Sequence, residues 1–231
     1  VMRAAALIGA VLLIVFALFQ ENPDQVASSA PMFDIRKVEV VGDLHYADRE
    51  NLQKSYNRLI GLGLFSEPMQ ALKYVAEQPA WVESAQIRRV WPHTVKIEVR
   101  EHKPVAYWNE GKIITAEGKV ISPSRVLDLP LTHLFGPVDT ESVVLDQFSL
   151  ISQMLSTSSL RVASLKLESR GAWNISFTNG VSVKLGRDEV LERLQRFVAV
   201  YKSDLSGRID RIASVDARYP HGVAVKWLPE E

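Results

Sequence analysis

Apolar and polar positions alternate most strictly between residues 82 and 100. Val95, Ile97 and Val99 alternate with Lys96, Glu98 and Arg100, and residues 82–90 form a matching run across the turn Trp91-Pro92-His93-Thr94. Side chains two apart share one face of a strand, so this stretch predicts a hairpin with an apolar face inward and a charged face in water. Pro92, whose ring fixes φ, sits at the bend. Upstream, 33–42 alternates through Ile35, Val38 and Val40 and predicts a first strand. Residues 47–59 change to helical spacing, with Leu52, Tyr56 and Leu59 on one face, and Gly61 and Gly63 stop that helix. A second helix is predicted over 67–77, with Met69, Leu72, Tyr74 and Val75 inward and Pro79 beyond its end. The order strand, helix, helix, strand, strand is that of a small α+β domain in which a helix pair covers one face of three strands.

Glu101-His102-Lys103-Pro104 interrupts the pattern, since proline has no N–H for a ladder, and a domain boundary is placed there. Short strands follow at 105–108, 112–115 and 119–121, separated by turns containing Gly111 and Gly118. A proline-containing loop is expected over 123–137. Residues 141–154 predict an amphipathic helix with Val144, Leu145, Phe148, Ile151 and Leu155 inward. Strands are predicted at 160–168, 173–178 and 181–185, the last two joined by Asn179-Gly180. Asp188 is expected to cap a helix running to Tyr201. In it Val190, Leu191, Leu194, Phe197, Val198 and Tyr201 are buried, and Arg187, Arg193 and Arg196 face water. A final pair, 209–219 and 222–227, turns around Tyr219-Pro220-His221-Gly222. The second domain is therefore mostly antiparallel β with two helices, and the fold class is α+β.

The first residues change this picture. Residues 4–19 carry no charge, follow Arg3 and precede Glu21 and Asp24. They extend about 24 Å as a helix, against roughly 30 Å of bilayer hydrocarbon. The expectation is an N-terminal single transmembrane helix with a cytoplasmic N-terminus and the folded domains in the periplasm of an inner-membrane protein. A cleaved signal peptide ending near Ser28-Ser29-Ala30 and a buried core helix are the other readings. The chain thus divides into 1–20, a transmembrane anchor; 21–32, a linker; 33–102 and 103–228, two domains; and 229–231, a tail.

Composition narrows function. Basic and acidic residues number 27 each, leaving no net charge to attract nucleic acid. There is no cysteine, which excludes disulfides, thiolate nucleophiles and cysteine-ligated metals. The five histidines, His45, His93, His102, His133 and His221, are scattered without metal-ligand spacing. Gly61-Leu62-Gly63 follows a helix and lacks a third glycine, so it reads as a helix stop, not a phosphate cradle. Glu101 and His102 are neighbours on a strand and point to opposite faces, which separates them as an acid/base pair. No catalytic residue, cofactor, metal or small-molecule substrate is assigned. The last strand, joined by a hairpin to its predecessor, is a candidate sheet edge able to accept a strand from another protein; an interior or covered strand is the alternative.

These residues carry a resemblance. The order A-x-I-x-R-x-W-P-x-x-V-x-I-x-V-x-E-x-x-P-V-A-x-W over 85–108 resembles the FtsQ/DivIB family of bacterial cell-division proteins. So do Leu129-Pro130-Leu131, Gly136-Pro137, Trp173, Leu185-Gly186-Arg187, Arg193-Leu194, Arg196-Phe197, Tyr201, Val215-Asp216, Arg218-Tyr219, Gly222 and Val225-Lys226-Trp227. The resemblance implies a polypeptide-transport-associated (POTRA) domain followed by a β domain. It also implies a non-enzymatic scaffold at the division septum that binds FtsB and FtsL, connects them to FtsK and helps control the septal peptidoglycan synthase pair FtsW and FtsI. The family's FtsB contact is strand addition beside the last strand, which implicates Tyr219, Gly222, Val223, Val225 and Trp227. Arg170 matches a family arginine that pairs with an acidic residue of FtsB, and Val200 lies on the helix flanking the groove. Two other readings stay open here: a different POTRA-containing transport or assembly factor, and a cell-wall hydrolase using carboxylates brought together by the fold.

Overall fold

In the computed structural model, which describes residues 33–65 and 67–229, the first half of the chain forms β1 (Lys37–Val41), α1 (Arg49–Tyr56), a 3₁₀ turn (Asn57–Leu59), α2 (Met69–Ala76), β2 (Val82–Val90) and β3 (Thr94–Glu101). β3 is central: β1 pairs with it in parallel and β2 antiparallel. Its alternation puts Val95, Ile97 and Val99 into one core with Val38, Ala85, Leu52, Tyr56, Leu59 and Leu72. The Asp48 carboxylate accepts from the Asn51 N–H at 2.9 Å and starts α1. The Tyr56 hydroxyl donates to the Ala76 carbonyl at 2.7 Å, tying the two helices, and burial pushes this phenol up to about 12. Two expectations are corrected. β1 is shorter than 33–42, and Tyr74 is not inward but 68% exposed. Two residues beyond Leu72 lie about 200° around a helix, so the buried stripe runs through Leu72, Val75 and Ala76.

The second half builds a nine-stranded sheet. Its elements are β4 (Pro104–Trp108), β5 (Lys112–Thr115), β6 (Val120–Ile121), β7 (Thr132–Phe135), α3 (Glu141–Leu155), β8 (Val162–Leu167), β9 (Trp173–Phe177), β10 (Ser182–Gly186), α4 (Val190–Val200), β11 (Ile212–Asp216) and β12 (Ala224–Trp227). The strand order is β12-β11-β10-β9-β8-β7-β4-β5-β6. Both helices lie on one face, where Val144, Ile151, Leu194 and Phe197 meet Trp108, Leu134, Leu165, Ile175 and Val183. Most pairings are antiparallel, but β7 is parallel to both β4 and β8, and β10 is parallel to β11. β7 lies inside the stretch expected as a loop.

At the entry to α4 two more expectations change. Asp188 is not the cap: the preceding residue is Glu189 in the left-handed conformation (φ 51°), with no side-chain oxygen over the first helical N–H groups. Arg193 is not on the wet side, because its Nη1 donates to the Leu185 carbonyl at 2.8 Å. That approach needs Gly186, which has φ 79° and where an added Cβ would lie 2.6 Å from Arg193 Nη1. Gly186→Ala is expected to destabilise the chain by about 1–3 kcal/mol, read as a lower denaturant midpoint.

The two sheets are joined tightly. β3 passes into β4 through His102 and Lys103 alone. A third cluster of Trp81, Tyr107, Ile113 and Ile121, with Tyr46 and Leu129 against it, fills the junction. Tyr46 stacks on Trp81 at 5.2 Å between ring centroids. Glu101 is buried at 7% exposure, and its carboxylate accepts from the N–H groups of His45 (2.7 Å), Tyr46 (3.1 Å) and Ala47 (2.5 Å).

The membrane expectation is corrected. Among the described residues no helix is long and apolar enough to cross a membrane. The longest, α3, has 15 residues and carries Glu141 and Asp146; it reaches only about 22 Å. Residues 4–19, on which the transmembrane helix was expected, lie outside the described residues. The single-pass inner-membrane location that depended on that helix has none among the described residues to carry it.

Candidate functional site

β12 lies at the edge of the larger sheet, paired only with β11 in the register Asp216↔Ala224, Val215↔Val225 and Ser214↔Lys226. One row of its main-chain groups therefore faces away from the sheet. Val223 and Val225 pack partly against the core beneath. Trp227, 41% exposed, and Tyr219, 56% exposed, present aromatic surface at the two ends of this segment. The strand begins at Ala224, so Gly222 and Val223 belong to the approach to it. Val200 is the last residue of α4 and packs partly against the same core.

Arginines hold the turn before β12. Arg196 Nη1, from α4, donates to the Tyr219 carbonyl at 2.6 Å. Arg218 donates to Asp216 through Nε at 2.9 Å and Nη2 at 2.6 Å. Those hydrogen bonds from Arg218 hold the Asp216 carboxyl below its ordinary range, despite an opposing effect of burial. Neither role was read from the sequence. Arg196 lies almost opposite the middle of the apolar stripe that runs through Leu194 and Phe197, so its place on the helix gave no cue.

Arg170 stands apart. It lies in the turn between β8 and β9, where its Nε donates to Glu168 Oε2 at 3.0 Å, and its carbonyl accepts from Arg187. The hydrogen bond from Arg170 is the largest cause holding the Glu168 carboxyl below its ordinary range. β9 is three strands from β12 in the sheet order, a lateral step of roughly 14 Å. The structure thus gathers Tyr219, Gly222, Val223, Val225 and Trp227 at one edge and leaves Arg170 three strands away. A strand laid beside β12 does not reach Arg170.

The other sheet edges differ: β1 is taken up by side chains, β2 is met at a single amide, and β6 is short. On β1, Arg49 donates to the carbonyls of Val40 (2.7 Å) and Gly42 (3.0 Å), and Gln53 to that of Val38 (2.9 Å). On β2 the Ala85 N–H donates to Glu77 Oε1 at 3.1 Å. β6 has two residues. Among the described residues no side chain is bonded to the main chain of Ala224–Trp227. Glu101 and His102 diverge as expected: Glu101 faces the amides of 45–47, while His102 Nδ1 lies 3.3 Å from Glu117 Oε2.

A β-α-α-β-β module followed by a broad sheet with an edge that no described residue covers is an architecture suited to a protein-binding scaffold. Comparison with known proteins is specific. Residues 33–102 match the family "POTRA domain, FtsQ-type", and residues 106–218 match "Cell division protein FtsQ/DivIB, C-terminal". The chain is 36% identical over 194 residues to a cell division protein FtsQ of Hahella chejuensis, covering 84% of this chain and 70% of that one. It is 35% identical over 166 residues to one of Coxiella burnetii (71% and 68%) and 32% identical over 200 residues to one of Vibrio cholerae (85% and 76%). The chain belongs to the FtsQ/DivIB family of cell-division proteins. It is a non-enzymatic scaffold that acts by binding other components of the division machinery.

Proposed function

We propose that the chain binds FtsB and FtsL by accepting an extended segment of FtsB as an added strand beside β12, and that it links them to FtsK and helps control FtsW and FtsI. The division of labour follows the two proposed domains, 33–102 and 103–228. What supports the reading most is the edge main chain of Ala224–Trp227, which no side chain among the described residues caps, whereas the carbonyls of β1 are taken by Arg49 and Gln53. Main-chain hydrogen bonds give such docking its affinity, and alternate side chains give it selectivity. Tyr219 and Trp227 bracket the segment as aromatic anchors, Gly222 and Val223 shape its entry, Val225 and Val200 form the apolar floor, and Arg170 takes an acidic side chain farther along the partner.

The absence of cysteine allows a direct test. Lys226→Cys places one thiol on the exposed side of β12, and single cysteines are then stepped along FtsB. Strand addition gives disulfide cross-links at every second position of FtsB. A repeat of three to four positions means a docked helix and overturns strand addition, and cross-linking absent throughout removes β12 from the interface.

A further inference from the structure

β1 is an edge of the smaller sheet. It is a five-residue strand, KVEVV, with a neighbour on one side only. Its outward main-chain groups belong to alternate residues, and three successive outward carbonyls, those of Val38, Val40 and Gly42, are taken by two side chains of α1. The match is geometric. Arg49 and Gln53 are four residues apart on the helix, about 6 Å along its axis, and outward strand positions repeat every ~6.6 Å. The helix runs against the strand, so Arg49 serves the later carbonyls and Gln53 the earlier one. Gln53 Nε2 also lies 3.4 Å from Asn57 Oδ1, which orients the amide. An incoming strand has to displace a guanidinium from two carbonyls and leave it without them, a cost that β12 does not impose.

We propose that Arg49 and Gln53 are specificity residues that keep β1 closed to strand addition, and that β1 freed of them pairs with β1 of a second copy of this chain. The consequence for FtsB, that it does not dock on β1, rests on the reading above; the closure of β1 does not. Charge favours the second copy as occupant. Lys37 and Glu39 flank Val38 on the open face of the sheet, where their side chains are 2.6 Å apart. Antiparallel pairing about Val38 sets Lys37 of each copy opposite Glu39 of the other, giving two cross-strand ion pairs. An edge strand is managed in natural proteins by covering, charge or bulges; here the cover is a pair of hydrogen-bonding side chains.

The test is sedimentation velocity on the full chain and its variants over a range of concentrations, with thermal melts to confirm folding. The Arg49→Ala/Gln53→Ala variant is expected to show a concentration-dependent dimer beyond any self-association of the parent. Adding Glu39→Lys sets like charges opposite each other and is expected to remove that dimer; adding Lys37→Glu as well restores it. A folded double variant that sediments as the parent overturns the proposal, and so does a dimer indifferent to the charge reversal. If the double variant melts below the assay temperature, Arg49→Lys serves instead: it keeps the charge but bonds one carbonyl where Arg49 bonds two. A smaller rise in dimer supports closure, and none contradicts it. Self-association is read without FtsB, so its failure leaves the β12 reading standing, and failure of the β12 cross-links leaves this one.

Discussion

Trp227→Ala is expected to weaken FtsB binding about 30-fold or more, while the melting temperature stays within a few degrees of the parent. A binding loss of that size corresponds to about 2 kcal/mol, the scale of an aromatic anchor at an interface. The indole is 41% exposed at the end of an edge strand. The uncovered part, on the order of 100 Å², yields roughly 2.5 kcal/mol when a partner covers it. The remainder already packs on this chain, so some loss of stability accompanies the change. Tyr219→Ala is expected to act in the same direction through its 56% exposed ring. Titration of FtsB against each variant, paired with a thermal melt, separates the two contributions. A variant that binds normally removes that side chain from the interface, and a variant that melts far earlier assigns the residue to packing.

Glu101→Ala is expected to cost about 3–5 kcal/mol of stability, the largest effect of any single substitution considered. The carboxylate is 7% exposed and accepts from three successive amides, His45, Tyr46 and Ala47. Its removal leaves those N–H groups at the junction without their acceptor, and hydrogen bonds to a charged group are worth more than neutral ones. The loop they belong to carries Tyr46 onto Trp81, so the stack between the two sheets loosens with it. At this chain length the change corresponds to a fall in melting temperature of roughly 10 °C. Glu101→Gln keeps one acceptor oxygen and is expected to recover part of the loss. An alanine variant within ~1 kcal/mol of the parent by denaturant unfolding would show that water replaces the carboxylate at little cost.

The elements readable from sequence were those whose pattern is local. The alternation of Val95, Ile97 and Val99 and the helical spacing of Leu52, Tyr56 and Leu59 each specify a buried face, and all six residues are buried. What stayed hidden depends on contacts across the chain. β7 has four residues, THLF, and is a strand because β4 and β8 bond it on both sides; nothing in its own alternation marks it. Tyr74 reads as inward by its apolarity, although its angle around α2 opposes this. Asp188 has the chemistry of a cap, but the left-handed Glu189 sets where α4 begins. Glu101 reads as part of the break between the two domains until the loop 45–47 folds over it. For the docking edge, the candidate strand was visible from its place in the chain. Its uncovered state was not, because that depends on which side chains from distant helices reach the other edges.

Hydrogen exchange over residues 222–227 of the full chain, alone and with FtsB and FtsL, tests strand docking most directly. Amides of an uncovered edge exchange readily, and a paired strand protects them. The expected result is fast exchange in the free chain and protection concentrated in 222–227 on adding the partners. Slow exchange there in the free chain, unchanged by the partners, would contradict docking at β12.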